Sequence, residues 1–384
     1  MKATSKGGRR KAEGGRMPSG SSCACSFRLR PSAFPRRPAV TLVELLIVMV
    51  ILAILGAAVL GTATAAMEAA RDKRTQSLIT KIHTLVMEQY ASYETRRVDL
   101  HPQIVQAING MSGNVRGQML ADARLLGVRE LMKFEMPDRW SDVLGGPVAN
   151  NPQSSAVNNP QILASSPALR QAYYRRFVNL DTTDVDVVQS NQGAECLYMI
   201  VMFATGDGEA RTLFAKQDIG DTDGDGANEF IDGWGQPIQF IRWPAGFVQQ
   251  STLMSGDADA DHDPFDVYRR DSTTITTPQA SDYPAPMQQA MGVIRNRNKR
   301  VKPPDPTMPA IPPFLTAFRL TPLIYSAGGD GDSDLAVTPG KVTELDPYRD
   351  YYGDDGKTQL GWPYDQEGDG QGWQDNIHNH TIEY

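Results

Sequence analysis

Carboxylates stand at alternate positions in one short stretch, Asp221-Thr222-Asp223-Gly224-Asp225-Gly226-Ala227-Asn228-Glu229-Phe230-Ile231-Asp232. Acidic residues two apart, followed by a glycine, are the order in which a calcium loop presents its oxygen ligands. In that order Asp221, Asp223 and Asp225 take the first three places and Gly226 permits the sharp turn. Ala227 then offers its carbonyl, Glu229 binds directly or through water, and Asp232 supplies the closing carboxylate. Asn228 stands where a helix-flanked loop carries a core aliphatic, and Gly233-Trp234-Gly235 cannot continue a helix. The stretch therefore reads as a bare calcium loop, with a solvated acidic turn as the competing reading. Asp330, Asp332 and Asp334 form a second alternating set, read the same way. Asp257, Asp259, Asp261 and Asp263 alternate around His262, a spacing that suits calcium but has no closing glycine turn, so a calcium site and a plain acidic cluster both stand; His378 and His380 lack a third zinc ligand. Asp354-Asp355-Gly356 and Glu367-Gly368-Asp369-Gly370 read as plain turns. There is no phosphate loop, nucleophile elbow, H-E-x-x-H or cysteine pair, so nothing points to an enzyme.

The element that must place this chemistry relative to a membrane is AVTLVELLIVMVILAILGAAVLG, Ala39 to Gly61, apolar but for Glu44. About twenty apolar residues in a helix cross the ~30 Å of a bilayer core. Ten basic residues and one acidic residue precede it. That excess keeps the N-terminal side in the cytoplasm and makes the chain a single-pass membrane protein with its head on the far side. Glu44 needs its own account, because a carboxylate inside a membrane helix costs ~2.5–3.5 kcal/mol on insertion scales. It stays charged there only by pairing with a cation.

Val40-Thr41-Leu42-Val43-Glu44 behind a basic leader resembles the type IV prepilin class, which holds the type IV pilins and the pseudopilins of type II secretion and whose pattern is Gly, then Phe-Thr-Leu-x-Glu. Thr41, Leu42 and Glu44 match; Ala39 stands for the Gly and Val40 for the Phe. The resemblance implies that a prepilin peptidase cuts between Ala39 and Val40 and methylates Val40. It also implies that Glu44 meets the Val40 ammonium of a neighbouring subunit, and that the partners are other pilin or pseudopilin subunits and the inner-membrane assembly machinery. Asp232-Gly233-Trp234-Gly235-Gln236-Pro237-Ile238 resembles the D-P-W-G-x-P-Y segment of the major pseudopilin, with Gly233 for Pro and Ile238 for Tyr. Tyr325-Ser326-Ala327-Gly328-Gly329-Asp330-Gly331 looks like that family's calcium-holding S-L-G-A-D-G loop, and Asp375-Asn376-Ile377 like its final strand.

Residues 1–39 thus read as a basic leader, 40–61 as a membrane or filament-core helix and 62–98 as its amphipathic extension. Residues 99–213 read as a helical insertion, and 214–384 as a β-rich region with acidic loops and an insertion at 257–313. Ile79, Ile82, Leu85, Val86, Tyr90 and Tyr93 recur at helical spacing, which predicts one helix from Val40 to Arg97, ended by His101-Pro102. Further helices are predicted at Arg116–Phe134, with Arg124, Arg129, Glu130 and Lys133 on a solvated face, and at Ala168–Val178 and Ala194–Phe203. Strands are predicted at Ile238–Trp243 and Phe318–Ser326, with one short strand in the tail. The fold class is α+β and pilin-like: a long N-terminal transmembrane helix running into a globular head of helices and a small antiparallel sheet. Cys196 is the one cysteine outside the leader, so the exported form has no internal disulfide. Removing the leader's ten basic residues and one acidic residue from a net charge of −7 leaves −16, which argues against nucleic acid as a partner. The implied function is a structural filament subunit; the competing reading is a non-polymerising surface-binding protein exported by the same route.

Overall fold

The computed structural model describes residues 40–149, 157–180, 184–204, 210–250, 260–270, 282–288, 318–337, 345, 347, 360–363 and 376–381. Ala39, Asp257, Asp259, Asp375 and the acidic turns at 354–356 and 367–370 lie outside these residues. The chain divides into two units, Met1–Leu60 and Gly61–Tyr384.

The first unit holds the start of helix α1 (Leu42–Ser92). Its opening turn is fixed by a reciprocal cap. Thr41 Oγ1 accepts from the Glu44 backbone N–H at 3.2 Å, and Glu44 Oε2 accepts from the Thr41 backbone N–H at 2.8 Å. Ser/Thr-x-x-Glu is the sequence form of that box. From Leu42 to Leu60 every residue is exposed, and this helix is long and apolar enough to cross a membrane.

In the second unit, α1 buries Leu78, Ile79, Ile82, Val86 and Tyr90, the face the spacing predicts. The helix stops at Ser92, five residues before the expected Arg97. Bonds from the Tyr93 and Glu94 amides back to Tyr90 and Ala91 tighten its last turn, and the chain then turns so that Arg96 grips Glu135 at 2.7 and 2.8 Å. His101-Pro102 does not end a helix; it begins α2 (Pro102–Asn109), with Pro102 in the first turn, where its missing N–H costs nothing, and His101 as cap.

Helices α3 (Gly113–Glu135), α4 (Trp140–Leu144), α5 (Ala168–Phe177), α6 (Val185–Ser190) and α7 (Gln192–Met199) follow, and α7 runs into a π turn, Ile200–Ala204. Of the expected solvated face of α3, Arg129, Glu130 and Lys133 are buried and Arg124 is half-buried. Arg129 meets Asp263 at 2.9 Å, and Lys133 lies 3.5 Å from Asp142. Glu130 accepts the backbone N–H groups of Gln161, Ile162 and Leu163 at 2.7–2.9 Å. These partners lie outside the helix, from nine residues away (Asp142) to 134 (Asp263), so helical periodicity alone cannot reveal them.

After α8 (Ala210–Leu213) come β1 (Ile219–Gly220) and β2 (Glu229–Phe230), an antiparallel pair. The remaining elements are β3 (Gln239–Ile241), α9 (Ala245–Gln250), β4 (Leu323–Ser326) and β5 (Ile377–His378). The three strands form an antiparallel sheet in the order β3-β4-β5, with Phe240 opposite Ile324 and Ser326 opposite Ile377. The main core joins the α1 face to Phe230, Phe240 and Ile324 from the strands, to Ile238 just ahead of β3, and to Leu197 and Ile200. The fold is thus the expected α+β arrangement.

The turn between β2 and β3 docks directly on α1. Gly233 N–H donates to Thr75 Oγ1 at 2.9 Å, and Trp234 Nε1 donates to Glu68 Oε2 at 2.8 Å. A Cβ on Gly233 would lie 2.6 Å from the Arg71 carbonyl oxygen, so only glycine fits.

Candidate metal centre

The β1–β2 ladder pairs Ile219 with Phe230 and Gly220 with Glu229, which closes residues 221–228 into a loop. Gly224 (φ +82°) and Gly226 (φ +95°) take the left-handed backbone that folds it back. Asp221 accepts the amides of Gly224 at 2.6 Å and Gly226 at 3.1 Å. Asp225 Oδ1 accepts from Ala227 N–H at 2.7 Å, and Glu229 Oε2 accepts from Thr222 N–H at 3.0 Å. The loop is held from outside by α6 and the residue that follows it: Ser190 donates to Asp223 Oδ2 at 3.0 Å, and Asn191 donates to Thr222 at 3.0 Å.

A carboxylate from outside the loop joins it. Glu195 on α7 is buried, and Trp140 Nε1 donates to its Oε2. Helix α7 can sit this deep because Gly193, with no side chain, lies against Phe240; a Cβ there would be 3.0 Å from the Phe240 carbonyl oxygen. One carboxylate oxygen each from Glu195, Asp223 and Glu229 lie within 4.8 Å of one another, and so do one each from Asp221, Asp223 and Asp225. Asp223 belongs to both groups.

The electrostatics match this crowding. Burial, and then the charges of Asp225, Asp223 and Glu229, push the Glu195 carboxyl up to about 10, against the pull of the Trp140 N–H. Burial, with Asp223, Asp221 and Asp225 nearby, pushes Glu229 up to about 8; burial, Asp223 and Asp221 also raise Asp225, against the Ala227 N–H and a hydrogen bond shared with Glu195. Glu195 Oε1, Glu229 Oε1 and Asp225 Oδ2 are buried without a hydrogen-bond donor. A buried acceptor without a donor is costly, and a divalent cation supplies what these oxygens lack. Every donor is a hard oxygen, the set that calcium, magnesium or manganese takes and that zinc does not prefer.

Glu195 was not singled out among the sequence candidates. Its signal is a lone carboxylate inside the apolar run Ala194-Glu195-Cys196-Leu197-Tyr198-Met199. Asp232, expected to close the loop, turns away. Its Oδ1 accepts the amides of Trp234, Gly235 and Gln236 at 2.8–2.9 Å, and its Oδ2 accepts from Ser326 at 2.6 Å. Asp330 and Asp332 are exposed; the Asp332 amide bonds Asp330 at 3.0 Å, and Asp334 is buried with φ +46°. Among the described residues these three do not converge with other ligands. Asp263 serves Arg129. His378 and His380 stack edge-on against Phe247, and burial pushes both rings down to about 4, so they pack as neutral imidazoles. At the other end of the chain, Val40 is exposed just ahead of the cap formed by Thr41 and Glu44.

Residues 35–60 match the prokaryotic N-terminal methylation motif, across the junction of basic and apolar sequence and the first part of α1. No curated protein and no solved structure matches the chain.

Proposed function

We propose that this prepilin-like chain, once cut by prepilin peptidase between Ala39 and Val40, is a structural subunit of a type II secretion pseudopilus or a type IV pilus-like filament. The observation that carries the reading is the first stretch of α1. It falls within the methylation motif, it exposes apolar side chains all round, and its one carboxylate lies in the first turn. Such a surface needs lipid before assembly and other copies of itself afterwards. Glu44 Oε2 is engaged by its own Thr41, which leaves Oε1 for the Val40 ammonium of a neighbour. In this reading residues 1–39 are the leader, 40–61 lie in the inner membrane and then in the filament core, and 62–384 form the exported stem and head. The partners are prepilin peptidase, other pilin or pseudopilin subunits and the inner-membrane assembly machinery. Calcium is the cation of the acidic loop, held by Asp221, Asp223, Asp225 and Glu229, because flexible glycine loops suit its higher and irregular coordination.

Two measurements test the reading. N-terminal sequencing of the processed protein reads Val40-Thr41-Leu42 with a methylated first residue; a start at Met1, or a cut after Gly61, overturns it. In cells that also express the unmutated chain, Glu44→Ala inserts and is cleaved, since losing a charge eases membrane partition, but it is missing from purified filaments. Equal incorporation overturns the assembly role and favours a non-polymerising surface-binding protein.

A further inference from the structure

We propose that Glu195 is the interior ligand of the cation site, so that one divalent cation bonds helix α7 to the β1–β2 loop. The inference rests on the reading of that loop as a calcium site and adds the residue that makes it more than a surface turn.

The loop's own acidic triad is partly open to solvent: Asp221 is exposed and Asp223 half-buried. Exposed carboxylates two apart are satisfied by water and need no ion. The triad with Glu195 is different. Glu195 is 1 % exposed and Glu229 0 %, and each keeps one buried oxygen without a donor. Asp225, 1 % exposed, adds a third such oxygen. Three carboxyl groups gathered from a helix and a hairpin can be ionised together only when a cation lies between them. Trp140 holds the far oxygen of Glu195 and so fixes the direction in which Oε1 points, as an outer-shell donor does in a metal site. Access is available as well. Glu195, Gly226 and Ala227 share the wall of a 160 Å³ cavity with Trp140 and Arg176, which brings an opening to the Glu195 side of the group.

Asp223 links the two triads. An ion at the Glu195–Asp223–Glu229 position draws ligands from both sides, which gives it enough oxygens for the six to eight that calcium takes when Asp221, Asp225, a carbonyl or water completes the set.

The same indole supplies the probe. Terbium, an oxygen-seeking stand-in for calcium, emits when a nearby tryptophan is excited, and Trp140 touches the proposed ligand. The full chain in detergent micelles should show terbium emission on indole excitation, displaced by calcium. Trp140→Phe should lose most of that emission while calcium still raises the melting temperature; undiminished emission overturns the placement. Glu195→Gln should weaken calcium binding by about tenfold or more, as expected when a charged ligand is removed. In chelator it should melt no lower than the unmutated chain, because a neutral amide of the same shape replaces a buried carboxyl crowded by Asp225, Asp223 and Glu229. Unchanged calcium affinity in Glu195→Gln, together with its loss in Asp223→Asn, overturns this inference and leaves the loop reading standing. No calcium or terbium binding by the unmutated chain overturns both.

Discussion

The two D-x-D-x-D stretches carry the same ligand spacing and end in different places. The first, Asp221 to Asp225, is closed by a hairpin, covered by α6 and α7, and joined by Glu195 and Glu229. The second, Asp330 to Asp334, keeps its first two carboxylates exposed, and water does the compensating. Spacing supplies the ligands in both. A site that demands an ion needs buried oxygens without donors, and those come from a neighbouring element rather than from the repeat. Asp232 draws the same line from the other side: it is as buried as Asp225, yet its four hydrogen bonds leave nothing for a cation.

Substitutions should separate these roles. Asp232→Ala should have the largest effect: it strips three backbone amides and Ser326 of their acceptor, at about 3 kcal/mol or more. Denaturant melts should show the same loss with calcium and with chelator; a loss seen only with calcium would return Asp232 to the ligand set. Asp223→Ala should come next. It leaves the chelated protein nearly unchanged but removes the gain from calcium, about 2.7 kcal/mol at a hundredfold excess over Kd. If that variant keeps the full calcium shift, the two loops are alike after all.

A pH series gives a third, smaller contrast. The Glu229 and Glu195 carboxyls are raised in the folded state to about 8 and about 10, so folding favours their protonated forms. In chelator their contribution is fully present below the usual carboxylate pKa and is lost as pH rises through about 8 and then about 10. Melting temperature in chelator should therefore fall from pH 5 to pH 8, and saturating calcium should flatten the slope. An equal slope with and without calcium would mean that no ion occupies the first loop. The smallest effect belongs to Asp330→Ala, within about 0.5 kcal/mol under either condition, as for an exposed side chain that holds one local bond.

Much of the framework was legible because it follows local rules. The apolar run, the buried stripe of α1 and the span of α3 come from periodicity, and β3 and β4 lie inside the predicted strands. The acidic loop was legible as a series of alternating carboxylates, three of which the structure gathers. What escaped reading depends on partners from other elements. Arg129 and Lys133 carry the same helical spacing whether water or Asp263 and Asp142 lies opposite them. Glu195 shows no spacing at all, only an odd charge in an apolar helix, and its meaning comes from a loop 26 residues or more away. Pro102 was misread for a local reason: proline closes a preceding helix and opens a following one with equal ease.

The missing side chain at Gly233 has a mechanical consequence. The turn touches α1 at backbone distance, and the Thr75 hydroxyl sits at the joint, donating to Arg71 and accepting from Gly233. A proline here would lack both the room and the N–H. A slip of α1 by one residue, about 1.5 Å, would pull Thr75 off the Gly233 amide and Glu68 off Trp234 together. The turn acts as a key in a slot: a pull along the helix is taken up as shear at two hydrogen bonds and a steric stop, and the β-hairpin that frames the acidic loop ends three residues before it, at Phe230.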